Sequence, residues 1–460
     1  MRVLLLNPPS RKRVVRARYC SSTSKASYLF YPTDLVVLSG FLAAEHEVAA
    51  IDSIASRLGV PRTLERIRAF APEAIVALVG AVSWEEDVAF LRGLKVELGP
   101  TIIANGDVFF EDCARLLVEH PFLDAVTFNF MSADLARYLR GELDAVVDMA
   151  WRSPDGSVCE RRAPRGAPRE VDVPVPRHEL FPIANYRFPF AREHPFASIM
   201  SAFGCPFRCA FCIGTALPLV VRPIPSVIAE LAHLRDLGIS ELFIEDYTFG
   251  APRARALRLC REMARSFPRL SWTCFSRVDV ADEELLVAMR GAGCHTVIFG
   301  VESGSDEILA ASHKGFTTDA ARRTFALCRR LGIRTVATFV LGLPDDTRQT
   351  LERTIDFACE IGCDYASFNV AVPRSGTALR KEALKSGLIG PHELAFDHSG
   401  DRIAMPTRTV TRPELSALKR AAVGRFYLRP GFLLRRALGV RSLGELREHF
   451  DEAVALLRKN

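Results

Sequence analysis

Cys205, Cys209 and Cys212 stand in the run Gly204-Cys-Pro-Phe-Arg-Cys-Ala-Phe-Cys, directly after the apolar stretch Ala197 to Phe203, which predicts a buried strand. A [4Fe-4S] cluster takes four thiolates, so three from one tight loop leave one iron for a ligand that is not protein. The competing reading is a non-catalytic regulator holding zinc on the same three sulfurs. The other nine of the twelve cysteines are scattered. Several fall inside strand or helix patterns, where cysteine acts as a small buried hydrophobe. Cys359 and Cys363, four apart near a helix end, fit core packing better than a second cluster.

Elements must carry that loop, and the chain is long enough to build them. At 460 residues it should form two or three domains. No apolar run reaches the length of roughly 18 residues that argues for a membrane span. The opening Met-Arg-Val-Leu-Leu-Leu-Asn-Pro-Pro has too short an apolar core for a secretory signal and reads as a first strand. Reduced thiols and no export signal place the protein in the cytoplasm. The net charge of +6 is uneven: from Asp401 onward 13 Lys and Arg face 6 Asp and Glu. Within that tail, Gly424 to Arg436 mixes aromatic, aliphatic and basic residues as a membrane-surface segment would. A basic helix packed on the preceding domain is the favoured reading, and nothing argues for nucleic acid.

Residues 1–150 alternate short apolar runs, among them Val3 to Leu6, Ile75 to Val79 and Thr101 to Ala104, with helical patterns such as Trp84 to Leu98. Such runs suit strands buried on both faces of a doubly wound parallel sheet, Rossmann-like in character. Ligands there lie beyond the strand C-termini, which singles out Asn7, Asp52, Gly80 to Ser83, Asn105 to Asp107 and Asn129. Residues 151–195, rich in Arg and Pro with a Ser153-Pro-Asp-Gly turn, read as a linker. Six strand-plus-helix units follow in 196–380, starting at Ala197, Glu241, Ser271, Thr296, Thr335 and Tyr365. They predict a partial (β/α)6 TIM-type barrel with its chemistry on the loops after the strands. Residues 381–460 complete the α/β chain as a helical cap.

A C-x3-C-x-aromatic-C loop on such a barrel resembles the radical S-adenosylmethionine (SAM) superfamily, in particular the subgroup with an N-terminal cobalamin (B12)-binding-like domain. The resemblance runs from Met1 to about Phe432. It is carried also by Asn7-Pro-Pro, Pro32 to Gly40, Gly300-Val-Glu-Ser-Gly-Ser, Leu341-Gly-Leu-Pro, Pro373-x-x-Gly-Thr and Phe426-Tyr-Leu-Arg-Pro. It implies that SAM chelates the vacant iron and that one electron cleaves its sulfonium to a 5′-deoxyadenosyl radical, while the protein binds, orients and shields.

The resemblance also assigns roles. Phe211 would lie against the adenine, with plain loop packing as the alternative. Gly342 and Leu343 would approach the adenine edge, or simply turn the chain. Glu302, with Ser303 beside it, would accept hydrogen bonds from the ribose. Asp246 would face the methionine amino group, with Tyr247 where a second acid is expected. Arg222 would pair with the SAM carboxylate, ahead of Arg277 and Lys314. Asn7, Ser83, Asn105, Gly106 and Asn129 would meet cobalamin, although no Asp-x-His occurs in the chain and Asn105-Gly-Asp-Val departs from the subgroup's usual diglycine.

The leading expectation is a cobalamin-dependent C-methyltransferase acting on an unactivated carbon of a small-molecule or lipid substrate, fed electrons by a flavodoxin or ferredoxin. The alternative is a radical SAM rearrangement, cyclisation or oxidation enzyme with a corrin-free N-terminal domain. A tRNA methylthiotransferase is disfavoured, because the N-terminal half lacks a second cysteine triad and the tail shows no small β-barrel.

Overall fold

The computed structural model describes residues 1–24, 28–164, 168–391, 393, 397 and 403–433. Strands β1 (Arg2–Asn7), β2 (Glu47–Asp52), β3 (Ala74–Val79), β4 (Thr101–Gly106), β5 (Ala125–Thr127), β6 (Met149–Arg152) and β7 (Val158–Arg161) form one sheet in the order β2-β1-β3-β4-β5-β6-β7. Pairing is parallel as far as β5. Helix α1 (Thr33–Leu42) covers one face, and α2 (Val60–Phe70), α3 (Trp84–Leu98) and α4 (Cys113–Glu119) cover the other. Alternate residues of β1 therefore enter different cores, Val3 and Leu5 on one side and Leu4 and Leu6 on the other. This two-sided burial is why the strands read as continuous apolar runs.

The segment read as a linker is partly sheet. β6 and β7 pair antiparallel around the Ser153-Pro-Asp-Gly turn, and Trp151 is buried beside β5. Its Arg and Pro content hid a hairpin whose inner face supplies Met149 and Trp151 to the core.

The second sheet runs β8 (Phe196–Ile199), β9 (Glu241–Ile244), β10 (Ser271–Ser276), β11 (Cys294–Glu302), β12 (Arg334–Leu341) and β13 (Tyr365–Val370), all parallel and in chain order. Helices α5 (Ile224–Asp236), α6 (Arg253–Ser266), α7 (Glu283–Gly291), α8 (Thr318–Arg330) and α9 (Arg348–Glu360) alternate with them. Thr347 caps α9, while Asp346 accepts the Gly342 and Leu343 amides at 3.0 Å each.

Two helices close the described chain, α10 (Ala378–Lys385) and α11 (Arg412–Tyr427). α11 opens on a Thr411/Glu414 capping box. At its end Phe426 is fully buried and Tyr427 donates to the Ala366 carbonyl at 2.6 Å. The aromatic part of the basic tail thus packs on the barrel; the part of the expected cap at 434–460 lies outside the described residues. Among the described residues no helix is long and apolar enough to cross a membrane.

Candidate active site

The three cysteines occupy the loop after β8, at the C-terminal mouth of the barrel. Gly204 enters it at φ +78°, and a Cβ there would lie 2.2 Å from the Pro218 carbonyl oxygen, so only glycine fits. Gly214 closes it, its Cβ position 3.3 Å from Cys205 Cβ and 3.4 Å from Cys212 Sγ. Burial and its two neighbouring thiols push Cys212 up to about 12. Burial also raises Cys209, opposed by Lys314 and Arg277. A cluster's sulfurs require compensating positive charge, and Lys314 and Arg277 supply it beside the loop. Among the described residues no three His, Cys, Asp or Glu side chains converge on a single metal ion.

Asp246 does not face the barrel interior. Its carboxylate accepts the Ser201 and Ala202 amides at 2.6 and 2.9 Å, together with the Ser201 hydroxyl. It therefore pins the backbone between β8 and the cluster loop. The inward carboxylate is Glu245, which shares a wall with Phe243 and Tyr247. Strand alternation carries the signal: Phe243, Glu245 and Tyr247 share one face, and Asp246 falls on the other. Burial raises the Glu245 carboxyl, with the Arg18 guanidinium opposing.

Arg222 is also redirected. It is fully buried, and its guanidinium is taken up by Glu230, the Ser226 hydroxyl and the Met200 carbonyl. His178 completes the cluster at 2.8 Å from Glu230. With Ser226 and Glu230 both on α5, Arg222 ties that helix to the barrel and has no free face for a substrate carboxylate.

Glu302 holds a left-handed φ of +70°, and the register between β11 and β12 shifts between Gly300 and Glu302. A bulge of this kind re-aims a side chain. Here it turns the carboxylate onto Lys314 Nζ at 2.7 Å, beside Gly300, where a Cβ would strike Glu302 Oε1. Lys314 Nζ in turn lies 5.8 Å from the Phe211 ring centre. Ser303 points away and shares a hydrogen bond with Thr354 of α9 at 3.1 Å, so it belongs to the fold.

Two cavities meet at Phe211. One, of about 390 Å³, has a barrel wall that includes Phe243, Glu245, Tyr247 and Phe275, and an opposite wall of Val15, Ala17, Arg18 and Cys20 from the segment after β1. The other, of about 300 Å³, is lined by Leu343, Pro344, Leu379 and Arg408. Gly342 is held aside at φ +88°, its Cβ position 3.0 Å from Leu415 of α11.

The sheet's C-terminal edge is more closed than the sequence suggests. Arg16 bridges Asn7 Oδ1 at 2.7 Å, Ser83 Oγ at 3.0 Å and the Asp87 carboxylate. Asn129 caps its own turn by accepting the Met131 amide. Gly106 is a packing position, since a Cβ there would sit 2.2 Å from the Val79 carbonyl oxygen. Four of the five residues expected at a corrin thus serve the protein itself. The fifth fits an outside group: Asn105 is 1% exposed, and among the described residues neither atom of its amide has a hydrogen-bond partner.

Residues 199–358 match the Radical SAM superfamily model. These residues form a radical SAM domain. Over 95% of its length it is 29% identical to an uncharacterized methyltransferase of Pyrococcus horikoshii, covering 97% of that protein. It is also 29% identical, over 90% of the chain and 70% of the relative, to the anaerobic magnesium-protoporphyrin IX monomethyl ester cyclase of Cereibacter sphaeroides. Among solved structures, the radical SAM methyltransferase TsrM of Kitasatospora setae, with cobalamin and a [4Fe-4S] cluster bound, superposes with a TM-score of 0.67 at 18% identity, covering 94% of this chain and 89% of that one. That likeness extends the shared fold across both sheets. As a radical SAM enzyme the chain uses SAM and a [4Fe-4S] cluster.

Proposed function

We propose that this chain is a cobalamin-dependent radical SAM methyltransferase acting on an unactivated carbon of a small molecule. When bound, the reduced cluster supplies the electron that cleaves SAM to a 5′-deoxyadenosyl radical, and the corrin supplies the methyl group. The protein holds and shields these groups. Cys205, Cys209 and Cys212 carry the cluster. Glu245, rather than Asp246, receives the methionine ammonium, Glu302 the ribose hydroxyls, and Phe211 with Leu343 the adenine. Asn105 is the surviving corrin contact of the N-terminal sheet.

The observation that carries this reading is the composition of the larger cavity. One wall belongs to the cluster loop and barrel, and the other to the segment that covers the N-terminal sheet. A group held by that sheet and a radical formed at the barrel would face the same cavity. The methyltransferase relative supports the same outcome. A flavodoxin or ferredoxin is the class of electron donor, and the cytoplasm, where such donors and reduced thiols coexist, is the place of action. A lipid surface retains support only from Arg435 and Arg436, which lie outside the described residues.

A second reading, rearrangement, cyclisation or oxidation without a corrin, is favoured by the Arg16 network across the sheet edge; the cyclase relative supports the cyclisation alone. Anaerobic turnover of the reconstituted enzyme with SAM, reductant, cobalamin and candidate small-molecule acceptors separates the two. Methyl transfer yields 5′-deoxyadenosine together with S-adenosylhomocysteine. Formation of 5′-deoxyadenosine alone, by protein that retains no cobalamin, supports the second reading.

A further inference from the structure

Arg277 follows directly on β10, with its side chain 5% exposed, and donates from Nη1 to Cys209 Sγ at 3.2 Å. The rest of its guanidinium is fixed. Nε and Nη2 form a fork with Asp279 at 3.0 and 2.8 Å, Nη2 also reaches the Lys314 carbonyl, and the plane lies 3.8 Å from the Phe207 ring centre. Phe207 belongs to the cluster loop itself. A guanidinium clamped by a carboxylate, a carbonyl and a ring cannot swing away from the sulfur, so its charge and its N–H act on that ligand permanently.

We infer that Arg277 is a positioning residue that sets the reduction potential of the cluster through Cys209. The inference rests on the three cysteines holding a [4Fe-4S] cluster. Reduction adds one negative charge to the cubane, and a hydrogen-bond donor with a positive charge on a ligand sulfur stabilises the reduced state. Arg277 therefore makes the cluster easier to reduce. It does so without touching the vacant iron, which leaves that iron free for SAM. The pair with Asp279 has a second consequence: the net charge of the unit is near zero, so the directed N–H carries the effect more than long-range attraction does.

The test is redox titration of anaerobically reconstituted protein, followed by electron paramagnetic resonance, with iron content measured on the same samples. Arg277→Gln is expected to keep its iron and shift the midpoint to lower potential by at least one decade in the reduced-to-oxidised ratio, about 59 mV for a one-electron couple. Arg277→Lys keeps the charge but loses the fork, and should fall between the two. Protein carrying nitrogen-15 in its arginines should show a nitrogen coupling to the reduced cluster that vanishes in Arg277→Lys. An unchanged midpoint with full iron in Arg277→Gln overturns the inference. If that variant fails to hold iron, an unchanged midpoint in Arg277→Lys does the same. Absence of any cubane signal in the unaltered protein would instead defeat the cluster assignment beneath it.

Discussion

Arg18 and Glu245 form an ion pair at 2.9 Å in the lining of the larger cavity, one residue from the segment after β1 and the other from the end of β9. The backbone that carries Arg18 is strained. Arg18 and its neighbour Tyr19 both adopt left-handed backbone, at φ +52° and +54°. The Arg18 amide donates to Asp34 at 2.6 Å, and the Tyr247 hydroxyl donates to the Arg18 carbonyl. Its guanidinium lies 4.9 Å from the Phe275 ring centre. If Glu245 receives the SAM ammonium, Arg18 competes for the same carboxylate.

Competition has a sign that packing does not. Glu245→Gln removes the anionic partner and should weaken SAM binding about tenfold, or 1.4 kcal/mol. Arg18→Gln removes the competitor and should tighten it. Equilibrium dialysis of SAM against the anaerobic, cluster-loaded variants measures both. Weaker binding in the two variants alike would make Arg18 a contributor to the site and end the competition argument.

Asp34 gives the same region a pH dependence. Burial, the largest influence, pushes its carboxyl up to about 7, with hydrogen bonds and charge from Arg18 opposing. A carboxyl raised on folding adds stability while it stays protonated, fully below its unfolded range near 4 and lost as pH rises through about 7. Asp34→Asn keeps an acceptor for the Arg18 amide and removes the titration. Its melting temperature should gain on the unaltered protein between about pH 4 and pH 7 and level off above. A constant difference across that range would mean Asp34 is ionised throughout.

Three residues of the sequence reading separate by the same logic. Glu302→Gln should raise the SAM dissociation constant about tenfold or more, a loss of roughly 1.4 kcal/mol. Ser303→Ala should cost about 1 kcal/mol of stability through its bond to Thr354 and leave SAM binding alone. Arg222→Met strands Glu230 as a buried charge and should cost about 3–5 kcal/mol in folding. Urea denaturation and SAM binding, measured on all three, check the division. A Ser303→Ala variant that lost SAM affinity while keeping its stability would restore the residue to the site.

The pattern of what was legible follows from these cases. Strand runs, the cluster loop and the six-unit order depend on local spacing, and they stand in the structure as the sequence implies. Asp246 and Glu245 are adjacent, so chemistry alone does not choose between them. The choice belongs to strand alternation, fixed by which face of β9 meets the barrel axis. Arg222 looked available because its partner Glu230 lies on a helix whose facing is set by tertiary packing. Arg16 and Arg18 were invisible for a related reason: the segment after β1 lacks periodicity, and its role comes from where the two sheets meet.

Asn105 offers the sharpest test of whether the N-terminal sheet holds a corrin. A buried amide with neither atom bonded costs the fold stability, on the order of 1–3 kcal/mol, and only an outside partner can return it. Asn105→Leu, similar in volume, should therefore raise the melting temperature of the cobalamin-free protein. The same change should lower cobalamin retention after purification about tenfold, or 1.4 kcal/mol, read from the corrin absorbance per chain. If the amide serves the fold instead, the substitution will lower the melting temperature and leave cobalamin untouched. The two outcomes move the melting temperature in opposite directions and only one of them lowers cobalamin content, so stability and ligand content measured together decide the question without any assay of turnover.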